Sequence, residues 1–315
     1  MAMIRLGFTV RVLGQKGLRA ADRRRWQQQP HLSVSLIYLR DIIGYLAQQR
    51  IGFYRLADAL APYLTHGAHA EFERQIEECA GELAAVGALA QEAGVRLTMH
   101  LGAHVGLAAE DSVLAARAAA EIVAQATLLD GLGMSAESVL VLHVGGGSAE
   151  GAAALQRFAE RYRLLPEHAR RRVALEHDDQ GWSLEALLPL HQVCGVPLVM
   201  DVLHHHLNAG RLSPGAALGL ALGTWPAGVR PKVHFSSPRT EAHLGPRGGG
   251  VAVLPPRPGQ HADFINPFEF AHFLALARGL PPFDVMLEAK AGDLALLRLR
   301  EDLRGYGLAP EKDVW

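Results

Sequence analysis

Residues 172–201, RVALEHDDQGWSLEALLPLHQVCGVPLVMD, contain one complete repeat of this chain. A short apolar run, 172–175, ends at Glu176. A helical pattern follows over 183–194, and QVCG sets a glycine where a helix C-cap turns the chain into the next run. That run, 197–200, ends at Asp201. The unit recurs along the chain: RLTMH ends at His100, VLVLH at His143, KVH at His234 and DVMLE at Glu288. Runs of Val, Leu and Met without alternation are what strands covered on both faces require. Eight such runs fit, at 3–8, 52–56, 95–99, 139–142, 172–175, 197–200, 231–235 and 284–287. Helical patterns lie near 33–49, 71–93, 110–132, 149–164, 183–194, 213–222, 266–278 and 292–303. Eight βα pairs predict an α/β fold, a closed (β/α)8 TIM barrel in one domain. Residues 1–290 would form the barrel, and 291–315 a C-terminal helix and tail completing it. A doubly wound open sheet is the nested alternative and differs by a strand-order reversal.

Composition narrows the function. There are 31 Lys and Arg against 32 Asp and Glu, a net charge of −1, so no global basic field marks a nucleic-acid binder. Any such binding has to use local patches. Cys79 and Cys194 both fall in predicted helices without CxxC spacing, which argues against a disulfide framework or thiolate metal site and fits a reducing cytoplasm. MAMIRLGFTV has no signal-peptide pattern, and no window approaches the ~18 uninterrupted apolar residues of a membrane span. The expectation is a cytoplasmic protein with no membrane association and no obligate protein partner.

The strand ends carry the chemistry. In a parallel barrel they converge on one face, where active sites sit. His, Glu and Asp are the ligands that Zn²⁺ or Mn²⁺ takes. A lone strand histidine is more often a hydrogen-bonded core residue, but recurrence at one structural position reverses that reading for His100, His143, Glu176, Asp201, His234 and Glu288. His66 in YLTHGAH, His204 in DVLHHH, and His261 and Asp263 in GQHADF join them, the H-x-D spacing putting both side chains on one side of an extended segment. Asp263 would serve equally as a helix N-cap. These ten residues are enough for two or three ions, with Glu176 bridging. Such a cluster favours phosphate-ester hydrolysis, because bound ions generate hydroxide near neutral pH and stabilise the attacked and leaving oxygens. His177, His205, His206 and His243 are weaker candidates. Asp178 and Asp179 fit a helix start or support of the ligands.

Two long loops flank that face. Residues 9–32 carry Arg11, Lys16, Arg19, Arg23, Arg24 and Arg25 against only Asp22, and residues 236–265 are rich in Gly and Pro. Loops of this length are usually functional or disordered, and a basic rim around a metal mouth suits an anionic substrate. The other basic run, 170–172, precedes a strand and belongs to the opposite face.

At these residues the chain resembles the UV damage endonuclease family, a branch of the endonuclease IV-like and xylose isomerase-like barrels. The marks are IRLGF, YRL, LTMH, LVLHVGG, LEHDD, DVLHHHLNAGRL, PKVHFSS, GQHADF and VMLEAK, spread from residue 3 to about 290. The resemblance implies a TIM barrel with two or three ions, commonly Mn²⁺, that cleaves the phosphodiester 5′ to a lesion in double-stranded DNA. It also implies catalytic roles for Glu176 and for Lys232 of PKVH, which matches a lysine subject to carbamylation; unmodified, its ammonium would meet phosphate. Departures concern damage reading. The family's probing loop resembles HPGQY, and here HLGAHV puts Ala103 and His104 in place of Gln and Tyr. Phe8 stands for a tyrosine, Val12 for a polar residue and His177 for the Asn of LEND. The metal set is retained and the wedge is not, so altered or weakened lesion recognition is expected. Two alternatives stay open: a metal-dependent sugar isomerase or epimerase, and a metal-containing DNA-binding protein without strong nuclease activity.

Overall fold

Leu6–Thr9 (β1), Phe53–Arg55 (β2), Arg96–His100 (β3), Leu140–Leu142 (β4), Val173–Glu176 (β5), Leu198–Val199 (β6) and Lys232–Phe235 (β7) are seven of the eight parallel strands. The hairpin His243–Arg247 (β8) and Gly250–Leu254 (β9) intervenes before the eighth, Asp284–Leu287 (β10). The structure, a computed structural model, describes residues 4–145, 151–247 and 249–308. The strands run β6-β5-β4-β3-β2-β1-β10-β7, and a parallel bridge from Asp201 to His234 joins β6 back to β7. The His234 amide donates to the Met200 carbonyl at 2.9 Å across that seam. The protein is thus a (β/α)8 barrel, and its seam is made by two of the candidate ligands.

Burial follows from this arrangement. β4, β5, β7 and β10 are buried at every residue, since helices cover the outside and side chains fill the inside. Alternation aims every second residue inward. At the floor, Asp284 meets Arg96 at 2.8 Å, Arg5 at 2.8 Å and Arg230 at 2.8 Å. Lys232, Thr98 and Phe53 occupy the middle, and Gly7 leaves room for them: a Cβ there would sit 2.7 Å from the Phe53 ring. His100, Glu176, His234 and Glu288 come next, at the mouth.

Sequence chemistry sets the element ends. Asp111, Ser183, Ser213 and Asn266 cap the helices Ser112–Gly131, Leu184–Cys194, Pro214–Gly223 and Pro267–Leu276 through side-chain oxygens. Gly195 takes φ 73 at the C-cap before β6, as QVCG requires. Ser112–Gly131 is long and apolar enough to cross a membrane, yet it packs Ile122, Leu128 and Leu129 into the barrel's outer layer.

Three sequence expectations change. The helix expected over 71–93 breaks into short turns and Ala80–Glu92, with Cys79 at the break. The cause is Gln75, fully buried: its side chain accepts from the Leu32 amide at 2.7 Å and donates to the Pro62 and Phe72 carbonyls. The Gly/Pro-rich loop after β7 contains the β8–β9 ribbon, continued by a Pro238–His261 bridge. A short helix, Val202–Leu207, follows β6 directly. Residue 3, residues 149–150 of the next expected helix and the tail 309–315 lie outside the described residues. The C-terminal helix Asp293–Gly305 packs on β1, and buried Asp293 accepts from the amides of Leu13 (2.7 Å) and Gly14 (3.0 Å), pinning the start of the basic loop. On the opposite face, as expected, Arg172 is buried and bonded to Asp130 and to the carbonyls of Met134, Ser135 and Ser138.

Candidate metal centre

Strand ends and one helix start bring six of the ten expected ligands together. Among the described residues, three overlapping sets have ligand atoms within 4.8 Å of one another: His100, Glu176 and His234; Glu176, Asp201 and His204; Asp201, His234 and Glu288. Glu176 is central, with Oε2 2.8 Å from His100 Nε2 and 3.0 Å from His234 Nδ1, and Oε1 3.3 Å from His204 Nδ1. Asp201 caps Val202–Leu207 through Oδ1, which accepts from the His204 amide at 2.8 Å. Capping delivers His204 to the same cluster one helical turn later. Asp201 Oδ2 and His234 Nε2 are buried with no hydrogen-bond partner among the described residues.

Two further residues border the cluster. The His143 ring lies 5.3 Å from that of His100, and its Nδ1 is 2.7 Å from Asp178. His261 Nδ1 donates to the Glu288 carbonyl at 2.7 Å and lies 3.9 Å from Glu288 Oε2. The remaining two stand apart. Asp263 is exposed, 3.9 Å from Arg239, and Asn266 rather than Asp263 caps the next helix. His66 is exposed on the loop after β2, its ring 4.8 Å from His69. Lys232 is fully buried beneath the cluster, 3.3 Å from Thr98 Oγ1, so the direct phosphate contact expected of its ammonium is not available.

The histidines share one pattern. His100, His204 and His261 each present Nδ1 to a backbone carbonyl, those of Leu101 (2.9 Å), His177 (2.9 Å) and Glu288, while His143 Nδ1 faces Asp178. Metal-ligating histidines commonly donate one ring N–H to such a partner, which fixes the tautomer and frees the other nitrogen. Buried Glu176 and Asp201, partly buried Glu288, and the orphaned Asp201 Oδ2 and His234 Nε2 are costly without cations. The N/O donor set therefore fits divalent ions of the Mn²⁺ or Zn²⁺ type.

Electrostatics divides the site. Burial opposes ionisation of Glu176, but His234 and His100 hold its carboxyl well below the usual range. Burial acts likewise on Glu288, and Arg55 and His234 bring it down to about 2. Burial pushes Asp201 up to about 6 and His234 down to about 4. Burial disfavours a charged His143, yet Asp178 and Glu176 outweigh it and push the imidazole up to about 9. His204 is raised in the same sense, against burial, by Asp201 and Glu176.

A ligand imidazole has to be neutral, so ions entering the site would displace these protons. Ion affinity should rise as pH climbs from 6 toward about 9, the range in which His143 loses its proton in the ion-free protein. Calorimetric titration with Mn²⁺ at pH 7, in buffers of different ionisation enthalpy, should show at least about one proton released per protein. Buffer-independent heats would contradict this assignment.

Sequence reasoning passed over Arg55, whose guanidinium pairs with Glu288 Oε1. It ends β2, and the strand-end rule that found the other residues would have found it had cations been admitted beside ligands. Asp178 was placed between two roles, and its contact with His143 selects the supporting one. His177 is buried, with Nε2 3.2 Å from the Asp201 amide, and burial holds its imidazole down at about 4.

The basic loop and the strand-3 loop lie on this face too. Thr9–Leu13 and residues 18–25 line an open groove of about 1050 Å³. Arg11, Arg23 and Arg25 are exposed there, whereas Arg24 is engaged by both Asp22 carboxylate oxygens at 2.8 and 2.6 Å. Ala103 and His104 are exposed, and His104 borders a second cavity of about 480 Å³ with Tyr63, His66 and Arg117.

Known proteins share the fold and the sequence pattern. The model of the UV-endonuclease UvdE family matches residues 18–310. A UV DNA damage endonuclease of Bacillus mycoides (strain KBAB4) is 30% identical over 260 residues, covering 82% of this chain and 77% of that protein. The crystal structure of SacUVDE superposes with a TM-score of 0.81 at 25% identity, over 97% of this chain and 100% of that one. Endonuclease IV from Thermus thermophilus shares the fold, with a TM-score of 0.58 at 16% identity over 96% and 98% of the two chains. With a barrel whose strand ends converge on this cluster, the chain belongs to the UV-endonuclease UvdE family.

Proposed function

We propose that the protein is a metal-dependent DNA endonuclease that hydrolyses the phosphodiester 5′ to a lesion in duplex DNA, with lesion reading altered from that of family members carrying Gln and Tyr in the strand-3 loop. The observation that carries the metal reading is a set of four histidines, three with Nδ1 on backbone carbonyls and His143 with Nδ1 2.7 Å from Asp178, around the carboxylates of Glu176, Asp201 and Glu288. Two or three ions, Mn²⁺ or Zn²⁺, would be held by His100, His143, Glu176, Asp201, His204, His234, His261 and Glu288, with Glu176 shared. When bound, such ions lower the pKa of water and stabilise charge on phosphate oxygens. Arg55 holds Glu288 ionised, and Asp178 and the backbone carbonyls orient the rings. The barrel through residue 290 carries the site, and the C-terminal helix completes it by anchoring the basic loop.

Lys232 fits a modified lysine. Burial, with Arg55 and Arg96 nearby, holds its amine well below the ordinary lysine range. A neutral amine is the form that adds carbon dioxide, and the resulting carbamate anion suits a pocket beside two guanidiniums. Arg11, Arg23 and Arg25 would follow the DNA backbone, with Arg24 contributing less because Asp22 neutralises it. The chain would act in the cytoplasm, where its DNA substrate lies, without an obligate protein partner.

The deciding experiment is incision of labelled duplexes, intact, ultraviolet-damaged or containing an abasic site, with Mn²⁺ added. Cutting of at least one damaged duplex over the intact one is expected. No cutting of any by protein holding two or more ions would refute the reading. Ala103→Gln with His104→Tyr should increase selective incision of the ultraviolet-damaged duplex, because a wedge helps meet an unstacking cost of roughly a few kcal/mol. Discrimination unchanged by the double substitution would mean that this loop does not read damage.

A further inference from the structure

Outside the metal centre, the loops after β1 and β2 meet in a ladder of planar rings. Trp26, at the end of DRRRW, lies 4.9 Å from His69 with the planes 33° apart. His69 lies 4.8 Å from His66 at the same tilt. Tyr63 stands edge-on to both histidines, at 5.8 and 5.6 Å, and props them. Two non-glycine residues hold left-handed backbone around the ladder, Tyr63 itself at φ 56 and Gln29 at φ 48, just after the turn that carries Trp26. Such conformations cost stability and persist where the surroundings enforce them.

The ladder is not a core. Trp26 is 44% exposed and His66 is exposed. The indole is presented to solvent with tilted rings packed behind it and Arg23 and Arg25 exposed in the same run. Flat π-faces beside cations are what single-stranded and splayed nucleotides bind, because every base has a π-face and every linkage a phosphate. Both loops follow barrel strands on the face of the metal centre, and His66 borders the cavity that also takes in His104.

We propose that Trp26 is a base-stacking residue, which receives a nucleobase splayed from the duplex on the ladder Trp26–His69–His66 while Arg23 and Arg25 engage adjoining phosphates. The inference rests on the DNA reading above. It gives the chain an aromatic surface that Ala103 and His104 do not supply, from a different loop.

The test uses the Mn²⁺-loaded protein and a labelled duplex with a cyclobutane dimer and a phosphorothioate at the scissile position. Tryptophan fluorescence and DNA anisotropy are read together. Wild-type fluorescence should fall on binding. Trp26→Phe should lose most of that change while keeping affinity within about threefold, since a phenyl ring still stacks. Trp26→Ala should weaken binding roughly tenfold. Undiminished quenching in Trp26→Phe, or wild-type affinity in Trp26→Ala, overturns the proposal. If the wild-type protein binds neither this duplex nor an intact one, the DNA reading falls first and this one with it.

Discussion

Glu176→Gln is expected to lower incision by at least about 100-fold and to lower the ion content with it. Changes to residues that merely orient ligands already cost roughly 10- to 100-fold in affinity or activity, and Glu176 faces three imidazoles from both of its oxygens. The substitution keeps the size but removes the charge and turns one acceptor oxygen into a donor. Elemental analysis of the purified variant after Mn²⁺ loading, beside its incision rate, separates the outcomes. Full ion content with lost activity would assign Glu176 to chemistry alone, and retained activity would remove it from the centre.

The second large effect is expected at the other end of the barrel. Asp284 is fully buried and receives Arg96, Arg5 and Arg230. Arg96 is itself buried, and burial lowers its pKa against the pull of Asp284. Asp284→Ala would strand that guanidinium in the barrel floor. Removing one partner of a buried pair typically costs about 3–5 kcal/mol, and denaturant unfolding should show a loss of that order. Asp284→Asn keeps an acceptor and should lose less. A loss below about 1 kcal/mol for Asp284→Ala, the range of exposed pairs, would show that solvent reaches this cluster.

The barrel was legible because its strands are doubly covered. Such strands need unbroken apolar runs, and LVMD, VALE and VMLE end where the side chains must change character at the mouth. The rest was hidden for physical reasons. The β8–β9 ribbon is held by backbone pairing in a glycine-rich stretch, and Leu244, Val251 and Val253 point into solvent, leaving no period-two alternation tied to a core. The break near Cys79 depends on Gln75 reaching Leu32 and Pro62, contacts that local spacing does not encode. The site divides in the same way. His100, Glu176, His234 and Glu288 are fixed by strand position and were found by it. His66 and Asp263 sit on long loops, where type and spacing leave direction open. Arg24 counts as positive in the sequence and is neutralised in place by Asp22.

The seam between β6 and β7 has a meaning for the protein's lifetime. β6 is two residues long, and the ring is completed there by the bridge between Asp201 and His234. If ions sit on these two residues, as proposed, they act as rivets across the weakest joint of the barrel. Binding to the folded form alone stabilises it by RT ln(1 + [L]/Kd), and the gain would fall at this joint. Scarcity of divalent ion would then loosen the barrel as well as idle its chemistry, leaving a molecule that opens along one line and is exposed to proteases. Metal supply would govern how much of the protein a cell keeps, and not only how fast it works.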